Sequence, residues 1–151
     1  MTNKTWILVA DEAIARILAL SPDGHALDSV EEIADPLAHA TGTDMRRDAM
    51  GRRASGANGN GANATASAGE GEQHHEAREF AQRVAQHLDT ALQAGRFEQL
   101  QIVAAPRFLG LLRQALSTNL QRTVAREMDK DFVHFGNDDI AARLFPRPEK
   151  R

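Results

Sequence analysis

The chain has 151 residues, the size of one ordinary domain, because domains cluster near roughly 100 to 150 residues. Its 18 basic and 21 acidic residues give a net charge of -3, too little for the broad basic face of a general duplex-DNA binder. Cysteine is absent, which excludes disulfides, thiolate zinc sites and cysteine nucleophiles. The first apolar run is broken at Asp11, after about five residues, too few for a signal sequence or a membrane span. We therefore expect a soluble, cytoplasmic protein with no membrane contact.

The strongly apolar residues are distributed unevenly along the chain. Leu, Ile, Val and Phe together number 32, and residues 36–72 contain only one of them. Residues 51–72 hold six of the 11 glycines, with six alanines and three asparagines. A segment with so little apolar area cannot offset the conformational entropy lost on folding. The sequence therefore predicts one domain over residues 1–146, with a flexible loop at about residues 44–73 and a polar tail at residues 147–151.

Three strands are predicted before the loop. The run from Thr5 to Ala10 is continuously apolar, and after two acidic residues the stretch from Ala13 to Leu20 alternates between two faces. The residues from Ser21 to Gly24 have the composition of a turn. A third strand from about Ala26 to Ala34 continues the meander, although residues 29–33 also fit the start of a helix.

A helix, a strand and a second helix are predicted after the loop. Apolar residues at helical spacing predict a helix from Gln73 to Gly95, with Phe80 on its inner face. The apolar run from Leu100 to Ala105 indicates a buried strand. The second helix follows at once and places Leu109 on its inner stripe.

A last strand near Thr123 to Met128 and a short helix around Asp138 to Leu144 complete the predicted elements. The order is then three strands, loop, helix, strand, helix, strand and helix. This order predicts an α/β fold with a mixed five-stranded sheet. An antiparallel meander forms one side of the sheet, parallel crossover strands form the other, and helices cover it.

Four blocks of the chain carry a resemblance to a known family. They read TWILVADEAIARIL, HHEAREFAQRVAQHL, GRFEQLQIVAAPRFLGLLRQAL and VAREMDKD. Together they resemble the bacterial host-attachment protein family, which is described as required for attachment to host cells. The resemblance covers most of the chain and fails mainly in the loop. The block from Gly95 to Leu116 is its most specific part.

The host-attachment family is in turn similar to the middle domain of archaeal and eukaryotic peptide-chain release factors. This similarity implies a ribonuclease-H-like mixed sheet, which the predicted strand order fits. In those factors a loop bearing Gly-Gly-Gln directly precedes a helix and reaches the peptidyl-transferase centre of the ribosome. Phe80 holds the place of a phenylalanine on that helix, which puts three other residues where Gly-Gly-Gln would lie. These residues of the implied loop-helix junction are Gln73, His74 and His75.

Four arginines stand close together beside the Gly-rich segment. They are Arg46, Arg47, Arg52 and Arg53. Guanidinium groups match phosphate oxygens, and a mobile loop can adapt to an irregular RNA surface. We therefore predict these residues to bind RNA, with the ribosome or a structured RNA as partner. Two aspartates in the same stretch reduce its positive charge. Two alternatives therefore stay open: the arginines are solvated residues at the base of a loop, or they contact a protein partner.

The sequence gives weak signals for other chemistry. His75 and Glu79 are four residues apart and on a helix could share a divalent metal ion, but the ligand set is incomplete and both fit the polar start of a helix. The sequence contains no Gly-x-Ser-x-Gly elbow and no serine beside a histidine. Its Gly-rich stretch does not match a phosphate-binding P-loop. We therefore expect no cofactor and no metal, and we assign no catalytic residue.

Carboxylates occur at two predicted strand ends. Asp11 and Glu12 lie where the first two strands meet, and Asp129 and Asp131 follow the last strand. A ribonuclease-H-type nuclease needs carboxylates clustered around metal ions on the sheet. An ordinary hairpin turn and a charged strand end explain the same residues without any ion, and we prefer that interpretation.

Two basic residues in the family-like blocks are candidate ligand contacts. Arg107 stands at the carboxyl end of a predicted strand, where open α/β sheets bind ligands. Lys130 lies between two aspartates after the last strand. A salt bridge to a neighbouring carboxylate is the alternative role for each of them.

The preferred functional hypothesis is a non-enzymatic binding domain that contacts ribosomal or other structured RNA through the loop from Asp44 to His75. A second hypothesis follows from the family's description, namely a protein-interaction factor that promotes attachment to a host. A third is a hydrolase of the peptidyl-tRNA type, which the absence of Gly-Gly-Gln disfavours.

Overall fold

The computed structural model describes residues 4–35 and 59–147, with side chains for residues 4–35 and 75–147. These residues form five strands and four helices. The strands are β1 (Thr5–Ala10), β2 (Ile14–Leu20), β3 (Leu27–Ala34), β4 (Gln99–Ala104) and β5 (Val124–Met128). The helices are α1 (Gly59–Gln93), α2 (Pro106–Ala115), α3 (Thr118–Thr123) and α4 (Asn137–Leu144).

The strands form one mixed sheet in the order β3-β2-β1-β4-β5. The pairs β1–β2 and β2–β3 are antiparallel, whereas β1–β4 and β4–β5 are parallel. The predicted α/β fold, an antiparallel meander continued by parallel crossover strands, is confirmed. Residues 29–33 lie within β3, which excludes the alternative that a helix begins there. In the sequence, helices separate the two strands of each parallel pair. The chain must return to the end of the sheet where the first strand began before the second strand can run in the same direction.

Both faces of the sheet are covered, and the central strand β1 is buried throughout. Trp6 and Leu8 belong to a core cluster with α1, α2 and α3. Ile7 and Val9 belong to a second cluster with α4. Successive side chains of a strand point to opposite faces. A strand covered on both faces therefore reads as a continuous apolar run, which is the pattern that predicted β1.

The turn from Ser21 to Gly24 connects β2 and β3 as predicted. Gly24 has a φ of 80°, a backbone conformation that glycine adopts without a steric cost. The hydroxyl of Ser21 and the backbone N–H of His25 donate hydrogen bonds to the carboxylate of Asp23. These hydrogen bonds hold the pKa of Asp23 below its ordinary value of 3.8.

The inner faces of α1 and α2 agree with the predicted apolar stripes. Phe80 is 0% exposed and Leu109 is 3% exposed, so the prediction that both are buried is confirmed. The rings of Phe80 and Phe108 are tilted against each other with their centroids 5.7 Å apart. This contact joins α1 to α2 over the sheet.

The end of α1 is fixed by its hydrogen bonds. Gly95 has a φ of 73°, and its N–H donates to the carbonyl of Leu92 at 3.0 Å. The N–H of Arg96 donates to the carbonyl of Ala91 at 3.0 Å. This pair of bonds around a left-handed glycine is the Schellman motif, and it ends the helix where the sequence predicted. Although α1 has 35 residues, neither it nor any other described helix is long and apolar enough to span a membrane.

The start of α1 differs from the prediction. The helix begins at Gly59 and not at Gln73. The backbone of residues 59–72 is therefore helical, and the prediction of a loop there is wrong. Alternate alanines in this stretch have the highest helix propensity, and the amphipathic part that follows supplies a nucleus from which a helix extends. The remainder of the predicted loop, up to residue 58, lies outside the described residues.

Helix α3 was not predicted from the sequence pattern. The Oγ atom of Ser117 accepts a hydrogen bond from the backbone N–H of Leu120 at 3.1 Å and caps the helix. Leu120 is fully buried beneath it. A helix of six residues shows too few repeats for a periodic pattern, so the cap was its main sequence signal.

Deleting residues 51–72 is expected to change the melting temperature by only a few degrees, measured by circular dichroism. The deleted stretch contains no Leu, Ile, Val, Phe, Met or Trp. Among the described side chains, the buried stripe of α1 begins downstream, at Ala77. The substitution Ala81→Asp provides a contrast, because it places a charge in the core. A deletion as damaging as this substitution would show that the segment packs on the domain.

Candidate functional site

Four strands end at one edge of the sheet, which we term the carboxyl edge. β1, β4 and β5 are parallel, and β3 has the same direction because two antiparallel pairings separate it from β1. Ala10 of β1 lies opposite Ala104 of β4, and Val103 lies opposite Met128 of β5. The residues that follow these strands therefore come together. Open α/β sheets bind ligands at this edge.

Asp11 follows β1 and shapes the turn to β2. Its Oδ1 atom accepts hydrogen bonds from the backbone N–H groups of Ala13 and Ile14, both at 2.8 Å. This arrangement satisfies two donors of a tight turn and fixes the orientation of the carboxylate. Within the part of the chain that the structure describes, the second oxygen accepts no hydrogen bond. Asp11 thus has a fixed position and one oxygen available for a ligand.

Asp131 and His134 converge on Asp11 at the carboxyl edge. One ligand atom from each of the three side chains lies within 4.8 Å of the other two. Asp131 and His134 belong to the connection between β5 and α4, and both are exposed, whereas Asp11 is partly buried. Because β4 lies between β1 and β5, this connection has to cross the end of β4. We term Asp11, Asp131 and His134 the edge cluster.

Arg16 of β2 holds the connection between β5 and α4. Its Nη1 atom donates hydrogen bonds to the carbonyl oxygens of Val133 at 2.8 Å and Phe135 at 2.6 Å. Its Nη2 atom donates to Oδ1 of Asn137 at 2.5 Å. Hydrogen bonds from a charged donor are stronger than neutral ones. Arg16 therefore fixes the backbone on both sides of His134.

Apolar packing holds the same connection against the sheet. Val133 is buried in the core cluster that contains Ile140 of α4. The rings of Phe132 and Phe135 have their centroids 5.3 Å apart. The guanidinium of Arg143 lies 4.2 Å from the centroid of Phe135, a cation–π contact. The apolar residues of the connection thus anchor it, while its two residues in the edge cluster remain exposed.

Arg107 and Lys130 also lie at the carboxyl edge. Arg107 is exposed in the first turn of α2, and Lys130 is exposed two residues after β5. Ala105, at the N-cap of α2, offers no side-chain hydrogen bond, so N–H groups of the first turn stay available to an anion. Neither basic residue forms an ion pair with another described residue. Their alternative role as salt-bridge partners has no support within this part of the chain.

The chain matches, over residues 6–144, the family described as proteins required for attachment to host cells. It belongs to this host-attachment family. The assignment made from the four sequence blocks is confirmed. An uncharacterized protein of Rickettsia prowazekii (strain Madrid E) is 33% identical over 72 residues. That match covers 46% of this chain and 48% of the Rickettsia protein, so it spans about half the length of each.

Among the described residues, the other predicted site residues of this host-attachment protein lie outside the edge cluster. The predicted RNA-binding residues Arg46, Arg47, Arg52 and Arg53 lie outside the described residues. Gln73, His74 and His75 lie inside α1, so they do not mark the junction of a loop with a helix. The Nε2 atom of His75 is 3.0 Å from Oε1 of Glu79, and both side chains are exposed. Among the described residues no third ligand joins this pair.

Two residues of the site, His134 and Arg16, were not identified as site residues from the sequence. The spacing of Asp131 and His134 after a predicted strand end was one available signal. The other signal was the position of Arg16, which alternates with Ile14 and Leu18 along one face of the predicted strand. A charged residue on an apolar strand face needs a hydrogen-bonding partner, and here that partner is the connection that carries the edge cluster.

Proposed function

We propose that this host-attachment protein is a release-factor-like binding domain that contacts the ribosome or another structured RNA at its carboxyl edge. The contact uses basic residues of the segment between β3 and α1 together with two exposed residues of the carboxyl edge. These residues are Arg46, Arg47, Arg52, Arg53, Arg107 and Lys130.

The main support is the place at which the chain leaves the sheet after β3. The N–H of Asp35 donates to a carbonyl of the β1–β2 turn at 2.9 Å, so the chain departs at the carboxyl edge. The carboxylate of Asp35 is buried, and its Oδ1 atom lies 4.0 Å from Nη1 of Arg83 on α1. The segment that carries the four arginines therefore begins at the same carboxyl edge of the sheet at which Arg107 and Lys130 are exposed.

The chemistry of this edge suits phosphate groups. Guanidinium groups form paired hydrogen bonds with phosphate oxygens. Arg107 lies in the first turn of α2, where the helix dipole favours an anion. The net charge of -3 excludes a broad basic surface, so the contact is local. Irregular RNA, with exposed phosphates and unstacked bases, fits a local contact better than a regular duplex does.

A protein-interaction factor that promotes attachment to host cells is the second candidate, and the description of the family favours it. In that case the carboxyl edge binds a protein, and the binding needs no phosphate. Cleavage of peptidyl-tRNA is disfavoured, because the sequence contains no Gly-Gly-Gln. Fractionation of intact cells tests the attachment role, and a peptidyl-tRNA cleavage assay tests the hydrolase.

Cosedimentation with ribosomes at a series of salt concentrations tests the RNA proposal. Each phosphate neutralised on irregular RNA contributes about 0.7 to the slope of log affinity against log salt. Four productive arginines therefore give a slope near -3 by the same rule. Changing Arg46, Arg47, Arg52 and Arg53 to Ser is expected to remove most of this dependence. Circular dichroism should show an unchanged fold, since the four residues lie outside every described strand and helix.

Two control variants sharpen this test. Lysines at the four positions keep the charge but lose the planar fork, so weaker binding by this variant indicates paired hydrogen bonds to phosphate. Arg122→Ser removes one exposed charge from the last turn of α3, before β5 begins, and is expected to leave binding nearly unchanged. No salt-dependent association of the wild type, or equal binding by the four-Ser variant, would rule out the RNA proposal and favour a protein partner.

A further inference from the structure

We propose that the edge cluster of Asp11, Asp131 and His134 is a binding site for a divalent transition-metal ion, with Zn²⁺ as the best match. Two carboxylate oxygens and one imidazole nitrogen are ordinary zinc ligands, and the imidazole favours zinc over calcium or magnesium. Zinc binds such ligands at about 2.0 to 2.2 Å, so atoms that share an ion lie at most about 4.4 Å apart. The separations within 4.8 Å come into this range by small rotations of the two exposed side chains.

The two carboxylates of the cluster lie close to each other. One oxygen of Asp11 and one of Asp131 are within 4.8 Å, and among the described residues neither carboxylate has a basic nitrogen within 4.0 Å. Two carboxylates held this close repel each other. A bound cation offsets the repulsion and uses the imidazole as a third ligand.

Other contacts hold Asp11 and the backbone on both sides of His134 in place. The β1–β2 turn fixes Asp11 through backbone hydrogen bonds. Arg16 fixes the carbonyls on both sides of His134, and the buried Val133 keeps the connection on the sheet. A backbone held in place before the ion binds reduces the conformational entropy that is lost on binding. Three protein ligands leave coordination positions open to water or to another oxygen ligand.

Isothermal titration of the untagged full-length protein with Zn²⁺ tests the site. We expect one saturable site, and we expect Asp131→Asn and His134→Gln each to lower its affinity at least about tenfold. Asp11→Asn should do the same without unfolding the protein, because asparagine keeps the oxygen that accepts the turn hydrogen bonds. The assay contains only the protein and the ion, so its result does not depend on whether the RNA proposal is correct.

Three control variants distinguish a defined site from general attraction. Asp129→Asn and Glu12→Gln remove the same charge from neighbouring exposed residues outside the cluster, and both are expected to bind zinc nearly as the wild type does. His75→Gln removes the exposed histidine that pairs with Glu79 and is also expected to be neutral.

Imidazole NMR spectra supply a second readout. Zinc should move the ring resonances of His134 and leave those of His75 in place. The proposal is overturned if the wild type shows no saturable binding. It is also overturned if Asp129→Asn weakens binding as much as Asp131→Asn, or if the affinity follows His75.

Discussion

Replacing Phe80 by Ala is expected to lower the free energy of unfolding by about 3 to 5 kcal/mol. This is a large part of the roughly 5 to 15 kcal/mol that stabilises a typical domain. Phe80 is fully buried, and its ring packs 5.7 Å from that of Phe108 between the two helices and the sheet. Its removal leaves a cavity that the rigid sheet cannot fill. Urea denaturation followed by circular dichroism measures the loss.

Two variants of the same helix serve as controls. Gln82→Ala lies on the exposed face of α1 and is expected to change stability by no more than about 0.5 kcal/mol. Phe80→Leu keeps an apolar side chain at the position and should cost less than Ala. If Phe80→Ala leaves stability unchanged, the ring is not buried in solution and the rotation of α1 about its axis is wrong. The anchoring of α1 at Asp35 would then also be in doubt.

The fold followed from the sequence where burial imposes a simple pattern. β1 and β4 are covered on both faces and read as apolar runs. β2 places Ala15 and Ile17 in one core cluster and Leu18 in the other. The start of α1 did not follow, because glycines and asparagines in residues 59–72 oppose helix formation while alanines favour it. Composition alone does not decide such a balance. The downstream helix, packed on the sheet from Ala77 onward, favours continuation of the helix.

The candidate site followed only in part, for a different reason. Asp11 and Asp131 were recognised at strand ends, but they lie on opposite sides of β4, and only the path of the β5–α4 connection brings them together. That path depends on contacts between residues far apart in sequence, such as those of Arg16 with Val133 and Phe135. No periodic pattern in the local sequence indicates these long-range contacts. His134 gains its place in the cluster through this path alone.

The two proposals meet at the carboxyl edge, where groups of both signs are exposed. Asp11 and Asp131 repel phosphate, whereas Arg107 and the first turn of α2 attract it. A divalent ion bound to the edge cluster would neutralise both carboxylates and offer an open coordination position to an oxygen ligand. Ribosome binding measured with and without Zn²⁺ therefore links the proposals. Tighter binding with the ion is expected from the wild type but not from His134→Gln.

Replacing Arg16 by Met is expected to lower the free energy of unfolding by about 1.5 to 3 kcal/mol, the range for hydrogen bonds to a charged group. Methionine is a long, unbranched side chain like arginine but lacks the donors to Val133, Phe135 and Asn137. Two carbonyls and one side-chain oxygen then lose their partner. Urea denaturation measures the cost. Arg122→Met, at an exposed position of α3, is expected to stay within about 0.5 kcal/mol of the wild type.

The same variant separates positioning from electrostatics at the edge cluster. Arg16 is not a ligand in the proposed site, and removing its positive charge would by itself strengthen the attraction of a cation. If Arg16 acts by holding the connection that carries Asp131 and His134, the zinc affinity of Arg16→Met should instead fall about tenfold or more, as when a group that orients metal ligands is lost. Titration under conditions where the variant remains folded decides between the two outcomes. An unchanged or higher zinc affinity would show that the cluster forms without Arg16, and its role would then be limited to the stability of the fold.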